Sequence, residues 1–207
     1  EKEVFCGMRE QIKTLPAATV TIAAANILVW IFLEAAGSTY DSEFMTAWGA
    51  AYTPYILENG EWWRLLSCTF LHFGAEHLLN NMFIFVLTGM RLEKFLGKLP
   101  FVLLYLFSGF AGSALSFVME LKAGEIVVSA GASGAVFGVL GGLTAAAVCN
   151  HGKVEGLTLK GLFIMLALNL YNGFTTAGVD NWGHIGGFAG GFLLCLIFCL
   201  MGIYRKD

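Results

Sequence analysis

Six apolar stretches run through this chain, near residues 17–36, 77–96, 100–120, 131–149, 159–177 and 182–203. Each is about 17 to 25 residues long, enough to cross the hydrocarbon of a bilayer as a helix. Inside lipid every backbone N–H and C=O must find a partner within the segment, so helices are the expected form. Composition agrees. Of 207 residues, 57% are hydrophobic and 13% charged, against roughly a quarter charged in a soluble domain. The sequence therefore predicts an all-α membrane protein with six transmembrane helices over residues 17–204, preceded by a short segment, residues 1–16. The second stretch is the least regular, because His77, Asn80 and Asn81 open it and Arg91 and Glu93 interrupt its end. Pro16 and Pro100 suit the first turns of the first and third helices.

Six spans put both termini on one side, and the basic residues then sort. Lys2, Arg9, Lys13, Arg91, Lys94, Lys98, Lys153, Lys160, Arg205 and Lys206 fall on the terminal side; Arg64 and Lys122 fall on the other. The excess of positive charge marks the terminal side as cytoplasmic. Removing one span would scramble this sorting. A net charge of -3 gives no basic face for nucleic acid. The first sixteen residues carry charges throughout and lack an apolar core, so no cleavable signal peptide is expected. Five cysteines, with no Cys-x-x-Cys pair, argue against a disulfide framework; Cys149, Cys195 and Cys199 suit packing roles. The long connection near 37–76 carries Trp48, Tyr52, Tyr55, Trp62, Trp63 and Phe70 among acids, a composition for the membrane interface.

Two apolar stretches open on chemically active groups. Residues 129–138 read Ser-Ala-Gly-Ala-Ser-Gly-Ala-Val-Phe-Gly, and residues 183–191 read Gly-His-Ile-Gly-Gly-Phe-Ala-Gly-Gly. A serine and an imidazole in lipid are costly without partners. In the six-span topology the fourth and sixth helices both run inward, so Ser133 and His184 lie at matched depth near the outer surface. Gly134, Gly138 and Gly142 recur every four residues on one helix, as do Gly183, Gly187 and Gly191 on the other. Such ridges are common packing devices in membranes. Here they would bring Ser133 and His184 within hydrogen-bond reach, making a nucleophile and its general base.

Acyl transfer also needs donors for a developing oxyanion. The Gly131-Ala132-Ser133 turn offers backbone N–H groups at a helix start. His77 and Asn81, four apart, share one face of the second helix and can both donate; a helix cap or a loop contact is the alternative. Phe137, one turn beyond Ser133, is placed to stack on His184. Asp180 precedes His184 by four and is a less favoured third member of a triad. A metal site from His72, Glu76 and His77 matches no common zinc spacing, and neither metal nor cofactor is expected.

Taken in order, these motifs resemble the rhomboid family of intramembrane serine proteases. Gly131-Ala132-Ser133-Gly134 is similar to the family's Gly-x-Ser-Gly motif, and His184 with Gly187 and Gly191 to its His-x-x-Gly-x-x-x-Gly motif. His77 with Asn81 resembles its oxyanion pair, Trp63-Arg64 its first-loop pair, and Glu93-x-x-x-Gly97 a structural motif of the second helix; Asn181 has a counterpart in some bacterial members. The resemblance implies a serine endopeptidase with Ser133 as nucleophile, His184 as base, and His77, Asn81 and the Ser133 N–H as oxyanion hole. It implies a half-embedded first loop, a cavity opening outward in the bacterial inner membrane, and substrates that are single-span membrane proteins cut near an unwound helix after a small residue. Two departures stand out: Phe137 where some bacterial members carry Tyr, and Cys68 where some carry a loop-ordering histidine. An inactive relative that only binds membrane helices is the alternative, but such relatives usually lack the serine or the histidine. A small transporter is a third reading; repeat symmetry and mid-membrane charges, its usual marks, are not evident.

Overall fold

The computed structural model describes residues 16–176 and 178–205. Lys2, Arg9, Lys13 and Lys206, used above for orientation, lie outside the described residues, as does residue 177 of the fifth predicted stretch. Helix α1 spans Ala17–Ala36. The long connection folds into short helices α2 (Ser42–Ala47), α3 (Thr53–Glu58) and α4 (Arg64–Ser67), followed by a 3-10 turn at Cys68–Phe70. Then come α5 (Gly74–Leu96), α6 (Lys98–Ala123), α7 (Ser133–Cys149), α8 (Leu159–Thr175) and α9 (Asn181–Leu200). Strand β1 (Ala51–Tyr52) pairs antiparallel with β2 (Val128–Ser129), and β3 (Lys153–Val154) with β4 (Leu157–Thr158) between α7 and α8. The chain is an all-α multi-span membrane protein. Helices α1, α6 and α9 are long and apolar enough to cross a membrane by length and composition; α7 is apolar but shorter.

A helix stands at each of the six apolar stretches, with shifted ends. Helix α5 begins three residues early at Gly74, whose φ of 77° makes the preceding bend. Helix α7 begins two residues late, at Ser133, because Gly131 has φ 148° and cannot be helical. Pro16 stands at the cap of α1, just outside the first turn.

Helix α7 is the axis of the bundle. Every residue from Ala135 to Ala147 is buried, the pattern of a helix that is apolar all round. Its contact with α9 is backbone to backbone. A methyl group on Gly187 would overlap the carbonyl of Gly134, and one on Gly191 the carbonyl of Gly138. The other edge of α9 lies on α6, where a methyl on Gly186 would come 2.8 Å from the Ala111 carbonyl. Gly142, predicted as part of the seam, instead faces Leu92 and Leu104. A four-residue step overshoots one turn by roughly 40°, so the third glycine of the ridge rotates out of the contact.

The start of α1 is tied down from a distance. Pro16 has no side chain that can cap a helix, and no acid lies in the first turn. Glu93, near the end of α5 and 3% exposed, supplies the cap. It accepts from Thr19 N–H at 2.7 Å, Thr19 Oγ1 at 2.8 Å and Ala18 N–H at 3.0 Å. The carboxylate also complements the positive end of the α1 dipole. Glu93→Ala removes the acceptor and leaves three buried or half-buried donors unpaired, a cost of roughly 2–4 kcal/mol. Glu93→Gln keeps one acceptor oxygen and is expected to cost less. Thermal denaturation in detergent micelles checks the order wild type, Gln, Ala; an alanine variant as stable as wild type would refute the capping role.

Candidate active site

The turn that presents Ser133 is held by the first loop. Gly131 donates its N–H to the Cys68 carbonyl at 3.0 Å, and Ala132 donates its N–H to Nε2 of His72 at 3.3 Å. Upstream, Ala51 pairs with Ser129 and Tyr52 with Val128. Glu120 of α6 gathers Thr53 Oγ1 (2.7 Å), Ser116 Oγ (3.3 Å) and Ser129 Oγ (3.4 Å). The turn was expected to offer backbone N–H groups, that of Ser133 among them. The first two are already bonded, and the Ser133 N–H is left as the donor of the turn without a partner among the described residues.

The first loop is itself organised by Arg64, which is 4% exposed. Its Nη1 donates to the carbonyls of Thr46 (2.6 Å) and Ala50 (2.9 Å), and its Nε pairs with Glu61 at 2.6 Å. The guanidinium lies 4.8 Å from the Trp63 ring centroid and 5.0 Å from that of Tyr55, within cation–π range. Trp63 itself is 54% exposed. Cys68 is buried with Sγ 3.1 Å from Ser113 Oγ, so the cysteine makes its own contact with α6.

Three further side chains converge on the turn. A Cβ on Gly131 would lie 2.7 Å from His77 Cε1, 2.8 Å from His77 Nε2 and 3.8 Å from Asn81 Nδ2. Only glycine leaves room there, and both side chains of α5 therefore face the residues just before Ser133. Asn81 Nδ2 is buried without a partner, a donor aimed at a place where no protein acceptor lies. His184 is buried on the first turn of α9 and stacks on Phe137, ring centroids 4.1 Å apart and planes within 11°. Phe137 follows Ser133 by one turn, so the imidazole covers the face of α7 that starts at the serine. Gly183, beside His184, has its carbonyl 3.4 Å from where a Cβ on Gly134 would stand.

Among the described residues no hydrogen bond joins Ser133 Oγ to His184. Such bonds are commonly long in unliganded sites and close in the substrate complex. Asp180 does not turn toward the imidazole; its Oδ1 caps α9 by accepting from Gly183 N–H at 2.8 Å. Asn181 donates through Nδ2 to the Gly173 carbonyl of α8 at 3.2 Å. Among the described residues no group of three or more His, Cys, Asp or Glu side chains is arranged to hold a metal ion. Of the weak metal set, His72 is engaged with the Ala132 N–H instead.

Two close-packed apolar helices that open on a serine and a histidine, with unpaired donors beside them, define a polytopic membrane protein with a candidate nucleophile–base site. Comparison with known proteins carries this further. Residues 59–201 match the rhomboid domain. Rhomboid protease GluP of Bacillus subtilis (strain 168) is 38% identical over 177 residues, 86% of this chain and 34% of that protein. RHOMBOID-like protein 4 of Arabidopsis thaliana is 44% identical over 153 residues, 72% of this chain and 37% of that protein. YdcA of Bacillus subtilis (strain 168) is 31% identical over 188 residues, 90% of each chain. The chain belongs to the rhomboid family; it spans about a third of the length of the first two relatives.

Sequence reasoning gave His72 no role beyond the weak metal set, and gave the Cys68 carbonyl and Glu120 none. A backbone acceptor leaves no mark in a sequence. His72 was visible as an imidazole just before α5, and its fully buried position is what only the fold supplies. Burial, with a smaller contribution from His77, pushes His72 from its usual 6.5 down to about 3. Its folded value lies below its unfolded value, so the unfolded chain takes up the proton first as pH falls. The stability this contributes is complete above about pH 6.5 and is lost as pH drops toward about 3. His72→Gln keeps an acceptor and cannot titrate. Melting temperature against pH is expected to fall less steeply below pH 6.5 in this variant than in wild type; parallel curves would show that His72 does not contribute.

Proposed function

We propose that this chain is an intramembrane serine endopeptidase that cuts transmembrane or juxtamembrane segments of membrane proteins. The observation that carries the reading is the convergence at one turn of four groups with complementary roles. These are Ser133, the stacked His184, the unpaired Asn81 Nδ2 and His77 Nε2.

In this reading Ser133 Oγ attacks the carbonyl carbon of the scissile peptide while His184 takes the hydroxyl proton. The carbonyl oxygen becomes an oxyanion and accepts from the Ser133 N–H, Asn81 Nδ2 and His77. Collapse of the tetrahedral intermediate breaks the C–N bond, and His184 returns its proton to the leaving amine. Water then attacks the acyl-enzyme by the same route and frees Ser133. Gly131, Phe137, Asn181, Trp63, Arg64 and Glu93 support these groups by spacing, stacking, tethering and loop order. No step calls for a metal or a cofactor.

For topology, we propose six spans formed by α1 and α5–α9 over residues 17–204, with residues 1–16 and the carboxyl end cytoplasmic. The 17 residues of α7 rise about 26 Å, less than the roughly 30 Å of a bilayer core. A helix that reaches the cytoplasmic face would therefore begin below the outer surface, which sinks Ser133 into a cavity that opens outward. The exposed Trp48, Trp62 and Trp63 suit a first loop that lies in the outer interface. The likeness to YdcA over nine-tenths of both chains favours a bacterial cell membrane, the inner one where two are present. By family likeness, substrates are single-span proteins cut near an unwound helix after a small residue.

A fluorophosphonate probe tests the nucleophile. Wild type is expected to be labelled and to cleave a model single-span substrate in liposomes. Ser133→Ala and His184→Ala should lower both by roughly 10³-fold or more, and a chelator should leave the wild-type rate unchanged. Labelling that persists in Ser133→Ala would sink the assignment.

A further inference from the structure

His184 and Asn181 share an unresolved polarity. His184 Nδ1 and Asn181 Oδ1 are both buried, and neither has a hydrogen-bond partner among the described residues. They also flank the same point. A Cβ on Gly173 of α8 would lie 2.5 Å from Asn181 Oδ1 and 3.5 Å from His184 Nδ1. The two atoms are therefore within about 6 Å of each other, a span that one water closes with two hydrogen bonds. The Asn181 amide is oriented by its other end, since Nδ2 donates to the Gly173 carbonyl at 3.2 Å. That bond leaves Oδ1 as the free acceptor of the amide.

We infer that Asn181 is the positioning residue of His184: its Oδ1 accepts, through one bridging water, the hydrogen on His184 Nδ1. The inference rests on the proposed serine–histidine chemistry and adds to it what selects the tautomer. Stacking on Phe137 fixes the plane of the imidazole, but a stacked ring is indifferent to rotation by half a turn within its stack. Only a polar contact distinguishes Nδ1 from the carbon opposite it. With Nδ1 holding the hydrogen, Nε2 carries the lone pair that receives the Ser133 proton. Asp180 cannot take this role while its Oδ1 caps α9. Gly173 supplies the space, because a Cβ there would overlap Asn181 Oδ1 and touch His184 Nδ1. The water has two partners in Nδ1 and Oδ1, and the Gly173 carbonyl nearby carries a second lone pair.

Three variants of the whole chain separate this role from a merely structural one, assayed in liposomes with the model substrate and the fluorophosphonate. Asn181→Ala removes both the acceptor and the tether to α8. Asn181→Asp keeps an acceptor oxygen and loses the tether. Gly173→Ala keeps Asn181 and fills the space. The alanine at 181 is expected to lower kcat and the labelling rate roughly ten- to a hundredfold with KM little changed. Asn181→Asp should recover most of the rate, and Gly173→Ala should reproduce the loss. Wild-type rates in Asn181→Ala, or a rate in Asn181→Asp as low as in Asn181→Ala, would overturn the inference. If Asn181→Ala fails to fold, the contrast between Asn181→Asp and Gly173→Ala decides the same question. His184→Ala in the same assay keeps the two readings apart. An active His184→Ala defeats the serine–histidine chemistry itself, whereas an inactive one beside a wild-type Asn181→Ala defeats only the role of Asn181.

Discussion

The approach of α9 to α7, close enough for backbone to touch backbone, is the constraint on which the rest of the molecule depends. Lipid offers no hydrophobic force to press two apolar helices together, so their association relies on van der Waals contact and on shape. Glycines give that shape. Gly187 against the Gly134 carbonyl and Gly191 against the Gly138 carbonyl leave no room for a methyl group. Because the seam runs along both helices, it fixes the two helix starts relative to each other. The groups standing there inherit that precision: Ser133 and Phe137 on one side, His184 on the other. The opposite glycine edge of α9 rests on α6, so α9 is held on two sides.

The first loop restrains the turn that the seam alone would leave loose. Ser133 is the first residue of its helix, and the residues before it are irregular backbone with orphan N–H groups. The Cys68 carbonyl and His72 Nε2 satisfy two of these, and β1 holds the strand just upstream. The loop can do this because Arg64 gathers its carbonyls from inside. A chain of contacts therefore runs from a buried guanidinium through the loop to the Ser133 turn. It follows that loop residues far from Ser133 act on its geometry without touching it.

The helices were legible in the sequence because the lipid solvent imposes one answer on long apolar runs. Their ends were less so. Gly74 and Gly131 set the starts of α5 and α7 through positive φ values that no hydropathy pattern encodes. The close approach of α7 to α9 was readable from four-residue glycine spacing, a local periodicity. Gly142 shows the limit of that spacing, since the drift of a 3.6-residue helix turns it toward Leu92 and Leu104. The tethers were not readable. His72 to Ala132, Glu93 to Thr19 and Asn181 to Gly173 each join different elements, and only assembly of the bundle places them. The family motifs flagged Glu93 and Asn181 as residues of interest, but not the bonds they make.

The distribution of unsatisfied polar atoms separates packing from chemistry. In the helices away from the site, buried or half-buried hydroxyls and amides turn back on their own helix: Thr88 to Ile84, Thr144 to Leu140, Asn169 to Met165. Such local bonds dispose of polarity at little cost. Of the six buried side-chain atoms left without a partner among the described residues, four belong to His72, Asn81, Asn181 and His184. Each is a sizeable penalty in a low-dielectric interior, and chance would scatter them along the bundle. They stand on α9 and on or just before α5, so the unpaired polarity is concentrated on the elements that face the Ser133 turn. Asn81 Nδ2 is the donor that the proposed oxyanion hole calls for, and His184 Nδ1 and Asn181 Oδ1 are the pair inferred to share a water. The proposed chemistry would use these donors where they already stand, with little reorientation as charge develops.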